Sequence, residues 1–268
     1  MKYSHVVSGT FLQRPNRFIA RIQINGREEI CHVKNTGRCR ELLVPGCTVY
    51  CTVNSSPQRK TKFDLIAVEK NTETGILLVN MDSQAPNAAV KEWLSSGMSP
   101  FGGISYMKPE YKFGNSRFDF YLECKNEPKT PEGFAANHHK TDLTATKLNS
   151  TPLFSTRNTE TGPRKIFIEV KGVTLEDNGT VLFPDAPTER GVKHVRELIR
   201  CHAEGFETCV LFVVQMEHAL YFTPNRKTHP QFADALCEAK NAGVKLLAYT
   251  CNVMPDELKI NSELKIRL

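Results

Sequence analysis

Two short segments carry side chains whose types and spacing could do metal-assisted chemistry. In Ser116-Arg117-Phe118-Asp119-Phe120-Tyr121-Leu122, strand alternation sends Phe118, Phe120 and Leu122 to one face and Arg117, Asp119 and Tyr121 to the other. In Ile166-Phe167-Ile168-Glu169-Val170-Lys171-Gly172-Val173 the same period buries Ile166, Ile168 and Val170. It leaves Glu169 and Lys171 together on the opposite face, about 7 Å apart along the strand. If the two strands pair, Asp119 stands beside Glu169. Two carboxylates with the Val170 backbone carbonyl between them form a set of hard oxygen ligands suited to Mg²⁺ or Mn²⁺. Lys171 is then placed to orient or deprotonate a water, or to neutralise charge developing on a phosphate. A plain amphipathic strand with a solvated Glu and Lys produces the same tripeptide, and for the tripeptide alone that explanation is the commoner one.

An acid followed at a distance by an acid-x-Lys strand is the PD-(D/E)xK nuclease pattern, and the Asp119 strand upstream and the helix and strand downstream supply its context. Glu110 precedes the Asp119 strand and is either a further outer carboxylate or a turn acid. In the helix after Pro187, Val192, Val195, Ile199 and His202 follow a core stripe, while Arg190, Lys193, His194 and Glu197 lie off it. Arg190 and Lys193 sit near the helix start, where backbone amides also favour a phosphate. With Arg117 and His194 they are candidate nucleic-acid contacts; a salt-bridged solvated face is the alternative. Near the N-terminus Arg14, Asn16 and Arg17 form one compact polar turn, and His32, Asn35, Thr36 and Arg38 another around Gly37. Both can hold phosphates and base edges, and both are equally explained as turn chemistry.

The elements that position these groups fall into two domains, residues 1–82 and 83–268. In the first, Phe18, Ala20, Ile22 and Ile24 alternate with Ile19, Arg21 and Gln23, Asn25-Gly26 signals a hairpin, and residues 28–33 return. Further strands fit residues 48–53, 63–69 and 76–79, and about five short strands predict an OB-like small β-barrel. Asn87 caps a helix that runs to about Leu94 and carries Val90, Trp93 and Leu94 on one side. After irregular chain at 97–109, strands fit 113–122, 166–175 and 181–183, followed by a helix to about Ala203 stopped by Gly205. A strand at 210–215, a helix at 232–242 ended by Gly243 and a strand at 244–250 complete an α/β order, α+β for the whole chain, with a mixed sheet in the second domain. Residues 125–165 are rich in Thr, Asn, Pro and Lys and are expected to be a mobile loop insertion, with His138-His139 a solvated pair.

The chain of 268 residues has a net charge of +6, and all of the excess lies in the first 80 residues, which hold 12 Lys and Arg against 6 Asp and Glu. A localised basic excess favours a polyanion partner. Composition, 40% hydrophobic and 24% charged, excludes disorder over the whole length. No apolar run is long enough to span a bilayer, and residues 1–12 lack the order of a signal peptide, which predicts a cytoplasmic protein with no membrane partner. Nine cysteines without a CxxC pair read as reduced thiols, with Cys209 and Cys251 in the core.

Five long motifs then stand in order: Arg14-Pro-Asn-Arg-Phe18, His32-Val-Lys-Asn-Thr-Gly-Arg38, Ser116-Arg-Phe-Asp119, Ile168-Glu-Val-Lys-Gly-Val-Thr-Leu175 and Phe183-Pro-Asp-Ala-Pro-Thr-Glu-Arg-Gly-Val-Lys-His194. Together they resemble the sugar fermentation stimulation protein A family over nearly the whole chain. The resemblance implies an OB-like N-terminal domain, a C-terminal PD-(D/E)xK nuclease fold, non-specific DNA binding and a regulatory role in sugar use. It places the nuclease-like site at Asp119, Glu169 and Lys171. The two acids stand 50 positions apart, a separation read as a departure from the family pattern. The expected function is a DNA-binding protein with a divalent-metal site, possible nuclease activity and a Mg or Mn cofactor. The rival is a non-catalytic, non-specific DNA-binding regulator, and a third reading is an enzyme acting on a small phosphorylated ligand.

Overall fold

The computed structural model describes all residues except 36, 57 and 127–161. Nearly all of the expected insertion, with His138-His139, thus lies outside the described residues.

The N-terminal domain is built from β1 (Val6–Asn16), β2 (Ile19–Ile24), β3 (Arg27–Val33), β4 (Thr48–Val53), β5 (Phe63–Thr72) and β6 (Gly75–Asn80). Neighbouring strands run in the order β3-β2-β1-β4-β5-β6, and β3 also pairs with β5 in parallel through Cys31 and Phe63, which closes the sheet into a barrel. Asn25 and Gly26 both take positive φ, 50° and 77°, as a tight hairpin turn requires. β1 escapes the sequence reading because two register shifts, at Phe11/Gln13 and Gln13/Asn16, break its alternation, and because it holds Gly9 and Pro15. Gly9 has a packing reason: a Cβ there would lie 2.7 Å from Ile22 Cγ2 and 2.8 Å from the Gln23 carbonyl. Ala20, Ile22 and Ile24 are buried as expected, but Phe18 is not an inward strand residue. It lies in the two-residue turn between β1 and β2 and is 46% exposed.

The C-terminal domain contains α1 (Ala85–Ser95), β7 (Ile104–Phe113), β8 (Ser116–Cys124), β9 (Arg164–Val173), β10 (Leu175–Asp177), β11 (Thr180–Phe183), α2 (Glu189–Ala203), β12 (Glu207–Val214), β13 (Tyr221–Pro224), α3 (Pro230–Ala242), β14 (Lys245–Met254) and β15 (Glu257–Glu263). A six-stranded mixed sheet has the order β15-β14-β12-β9-β8-β7, with β9, β12 and β14 parallel. α1 covers one face, packing Val90, Trp93 and Leu94 among Phe120, Leu122, Ile166 and Ile168. α2 and α3 cover the other, where Val195, Leu198 and Leu236 meet Phe167 and Phe212 in a core continuous with the barrel interior. The remaining β10, β11 and β13 form a small separate sheet.

Several elements differ from the sequence reading. Residues 104–113 are a strand despite Pro109, which an edge strand tolerates because its outer N–H has no partner to lose. The buried stripe of α2 is Val192, Val195, Leu198 and Cys201; Ile199 and His202 are only half-buried. α1 starts at Ala85 with Pro86 in its first turn, and Gln84 is its cap position, so Asn87 is not the cap. Its side chain serves the site described next.

Candidate metal and nucleic-acid site

β8 and β9 stay in register only as far as Phe120 opposite Ile168. Phe118 packs beside Phe167, with ring centroids 4.8 Å apart, on the opposite side of the sheet from Phe120. The expected common face of Phe118, Phe120 and Leu122 therefore breaks at Asp119. Where the main-chain ladder stops, Asp119 Oδ2 takes its place and accepts the Val170 N–H at 2.7 Å. In extended backbone the N–H and C=O of one residue point to the same edge, so the Val170 carbonyl opens toward the same gap. Asn87 Nδ2 donates to the other oxygen of Asp119, Oδ1, at 2.8 Å. Asp119 is thus held by a neighbouring strand and by the first turn of α1.

Glu169 is 3% exposed and projects to the α2 side of β9. Its Oε1 accepts from Lys171 Nζ at 2.7 Å and from His194 Nδ1 on α2. Its Oε2 is buried and has no hydrogen-bond partner. Arg190 Nε lies 3.4 Å from His194 Nε2, which fits a histidine that donates through Nδ1 and accepts through Nε2. Asp119, Glu169, Val170, Lys171, Asn87, Ser83, Glu110, Arg117, Arg190 and His194 line one cavity of about 220 Å³. Lys193 is exposed and does not line it. Glu110 sits at the rim with a strained φ of 53° and pairs with Arg117 Nε at 3.0 Å.

The two acids differ electrically. Burial pushes the Asp119 carboxyl above its ordinary range, and the nearby Glu169 charge adds to that, against the bonds from Val170 and Asn87. Burial would raise Glu169 too, but the His194 hydrogen bond and the Lys171 charge outweigh it and hold the carboxyl below its ordinary range. Glu169 is therefore a fixed anion beside a more easily protonated Asp119. The buried, unpartnered Oε2 beside a second carboxylate fits a hard divalent cation, with Asp119, Glu169 and the Val170 carbonyl as the residues that would hold it. Among the described residues no group of three or more His, Cys, Asp and Glu side chains is gathered as a metal cage.

The N-terminal candidates divide. The sequence reading places Arg14 among the phosphate contacts, but its guanidinium is occupied by four carbonyls: Gly37 at 2.9 Å, Arg38 at 2.8 Å, and Arg17 and Asn35 at 2.7 Å each. It ties the two polar turns to each other. Asn16 Oδ1 accepts from the N–H groups of Phe18 and Ile19, and Asn35 Oδ1 from Gly37, so both asparagines are turn-forming. His32 Nδ1 lies 3.3 Å from Asp64, which also takes a two-pronged bond from Arg59. Arg17, Arg38 and Arg40 stay exposed around one cleft. The 34–38 loop also reaches the second domain: Arg38 N–H donates to Asp185 at 3.1 Å, and Ser83 Oγ, from the cavity wall, donates to the Lys34 carbonyl at 2.6 Å. A Cβ at Gly37 would meet Asp185 Oδ2 at 2.2 Å and Asn35 Oδ1 at 2.9 Å, so a larger residue there would have to displace the Asp185 carboxylate that Arg38 N–H holds.

Sequence reasoning missed Asn87 and Ser83 as parts of the cavity and did not foresee that His194 is a partner of Glu169. The His194 position off the helix core stripe was the one usable signal. Asn87 offered none, because an asparagine at a helix start reads as a cap.

Comparison with known proteins agrees with this architecture. Residues 12–79 match the family described as the SfsA N-terminal OB domain, and residues 84–131 and 146–257 match the sugar fermentation stimulation protein RE domain. Proteins called sugar fermentation stimulation protein homolog are 48% identical in Desulfitobacterium hafniense (strain DSM 10664 / DCB-2), covering 100% of this chain and 99% of the relative, and 46% identical in Clostridium beijerinckii, covering 100% of both. The RE-domain match is interrupted between residues 131 and 146, within the 50 positions that separate Asp119 from Glu169. The solved structure of Pyrococcus furiosus SfsA in complex with Ca²⁺ superposes with a TM-score of 0.77 at 25% identity, covering 100% of this chain and 98% of that one. The chain belongs to the sugar fermentation stimulation protein family.

Proposed function

We propose that the protein binds nucleic acid, DNA above all, and that its C-terminal cavity is a divalent-metal phosphodiesterase site of the PD-(D/E)xK type. The observation that carries this reading is Glu169: one oxygen bonded by Lys171 and His194, the other buried without a hydrogen-bond partner, in the cavity that Asp119 also lines. The related Pyrococcus protein, solved with Ca²⁺, supports a divalent cation here, for which Mg²⁺ and Mn²⁺ are the proposed working ions. When bound, such an ion supplies Lewis-acid polarisation of a phosphate and a more acidic water. This chain's own residues do the rest. Asn87 and Val170 fix the Asp119 carboxylate, His194 orients Glu169, and Lys171, bonded to Glu169, is a cation of the cavity that would neutralise charge on a phosphate. Arg117 and Arg190 at the cavity rim meet the flanking phosphates.

One observation favours the rival reading of a non-catalytic DNA-binding protein: Lys171 is tied to Glu169, and no third acidic or histidine ligand completes a cage among the described residues. Incubating the purified protein with single- and double-stranded DNA and RNA, with Mg²⁺, Mn²⁺ or EDTA, decides between them. Metal-dependent cleavage that disappears in Glu169→Gln and Lys171→Ala supports the catalytic reading. Binding without cleavage under every condition leaves the rival. All nine cysteines are free thiols, which supports work in a reducing compartment such as the cytoplasm, and no described helix is long and apolar enough to cross a membrane.

A further inference from the structure

We propose that Phe18, with Arg17 against its ring, is a stacking platform for an unpaired base, so that the N-terminal barrel takes single-stranded nucleic acid. This rests on the nucleic-acid reading above and names the form of polymer. Phe18 sits at the tip of the β1–β2 hairpin with 46% of its surface exposed, while Ala20, Ile22 and Ile24 after it are buried. A single exposed phenylalanine is ordinary on a protein surface. Three further features set this one apart.

Its backbone is pinned on both sides: its N–H donates to Asn16 Oδ1 at 2.9 Å, and its carbonyl accepts from Val33 N–H at 2.7 Å. The preceding carbonyl, of Arg17, is held by Arg14 at 2.7 Å. The ring is therefore presented by a rigid turn and loses little freedom when covered. The Arg17 guanidinium carbon lies over the ring, 4.9 Å from its centroid, so a cation backs one face of the aromatic ring and a base would stack on the other. Arg17 also lines the cleft that Arg38 and Arg40 share, which puts phosphate-binding charge directly beside the ring. An acidic protein segment could use the arginines and would leave the ring idle. A polyanion with flat faces uses both, and in a duplex those faces are already covered by neighbouring bases.

The test is fluorescence anisotropy of the full chain with a labelled oligothymidylate and with a duplex of equal length, in EDTA, across a range of salt. Phe18→Ala is expected to weaken single-strand binding about 5- to 100-fold, to leave duplex binding unchanged and to leave the slope of log affinity against log salt unchanged, because stacking releases no counterions. Phe18→Trp should restore the affinity, and Arg17→Ala with Arg38→Ala should flatten the slope instead. Melting curves confirm that these surface variants fold. Unchanged single-strand affinity in Phe18→Ala, or an equal loss on both polymers, overturns the platform. Failure of the wild-type protein to bind either polymer at low salt overturns the nucleic-acid reading itself.

Discussion

A divalent cation should stabilise the folded protein, and the size of the effect can be worked from Glu169. Its Oε2 is buried without a partner, and an unsatisfied buried acceptor costs about 1–3 kcal/mol, more when charged. Asp119 adds repulsion across the cavity, which is part of why its carboxyl is pushed upward. A cation that binds only the folded chain relieves both. By mass action it contributes about 1.4 kcal/mol at ten times its Kd and about 2.7 kcal/mol at a hundred times. In a chain of 268 residues that corresponds to a rise in Tm of roughly 3 to 10 °C. Thermal melts at pH 7 with Mg²⁺, Mn²⁺ or Ca²⁺, reversed by EDTA and compared with NaCl of equal ionic strength, read it directly. The single variants separate the two acids. Without metal, Asp119→Asn should raise Tm, because ionised Asp119 is destabilised in the fold. Glu169→Gln should lower it, because it strips Lys171 and His194 of their anion. Both variants should lose the cation response. A wild-type Tm indifferent to all three ions up to about 10 mM, above the roughly millimolar Kd of weak carboxylate sites, refutes the reasoning, as does a full response in Glu169→Gln.

Arg14→Ala should destabilise the N-terminal domain by about 2–3 kcal/mol in urea melts, since four carbonyls lose a charged donor that is partly solvent-screened, whereas exposed Arg38→Ala should stay within about 0.5 kcal/mol; equal effects sink the keystone role of Arg14. Asn87→Ala removes a donor that favours ionised Asp119, so the pH at which the cation-induced Tm rise is half developed should move upward relative to wild type. No movement means that Asn87 does not tune that carboxyl. Stability should also depend on acid in a residue-specific way. Glu169, held below its ordinary range, contributes stability that is complete above the unfolded value of about 4.3 and is lost as pH falls below it. Asp119, held above its range, imposes no cost below about 3.9 and a growing one as pH rises past it. The difference in unfolding free energy between wild type and Glu169→Gln should therefore shrink on acidification, and a pH-independent difference contradicts the assignment.

The amino-acid sequence by itself made the candidate acids and most of the element types legible. Asp119, Glu169 and Lys171 were legible because strand alternation and residue identity are local properties, and so were the barrel hairpin at Asn25-Gly26 and the helix stops at Gly205 and Gly243, each a positive-φ glycine. Only tertiary structure decided how those groups are held. The alternation of β8 fails at Asp119 because its backbone ladder to β9 ends at the next residue, Phe120 opposite Ile168, and pairing partners more than 40 positions apart are not visible in a local pattern. Asn87 became an Asp119 donor instead of a helix cap, His194 a partner of Glu169 as well as a cavity residue, and Arg14 a tie between turns instead of an open cation. β1 and β7 were hidden by register shifts and by a proline that an edge tolerates. In each case the residue type fixed which hydrogen bonds were possible. Which of them formed depended on the distant segment that the fold brought within 3 Å.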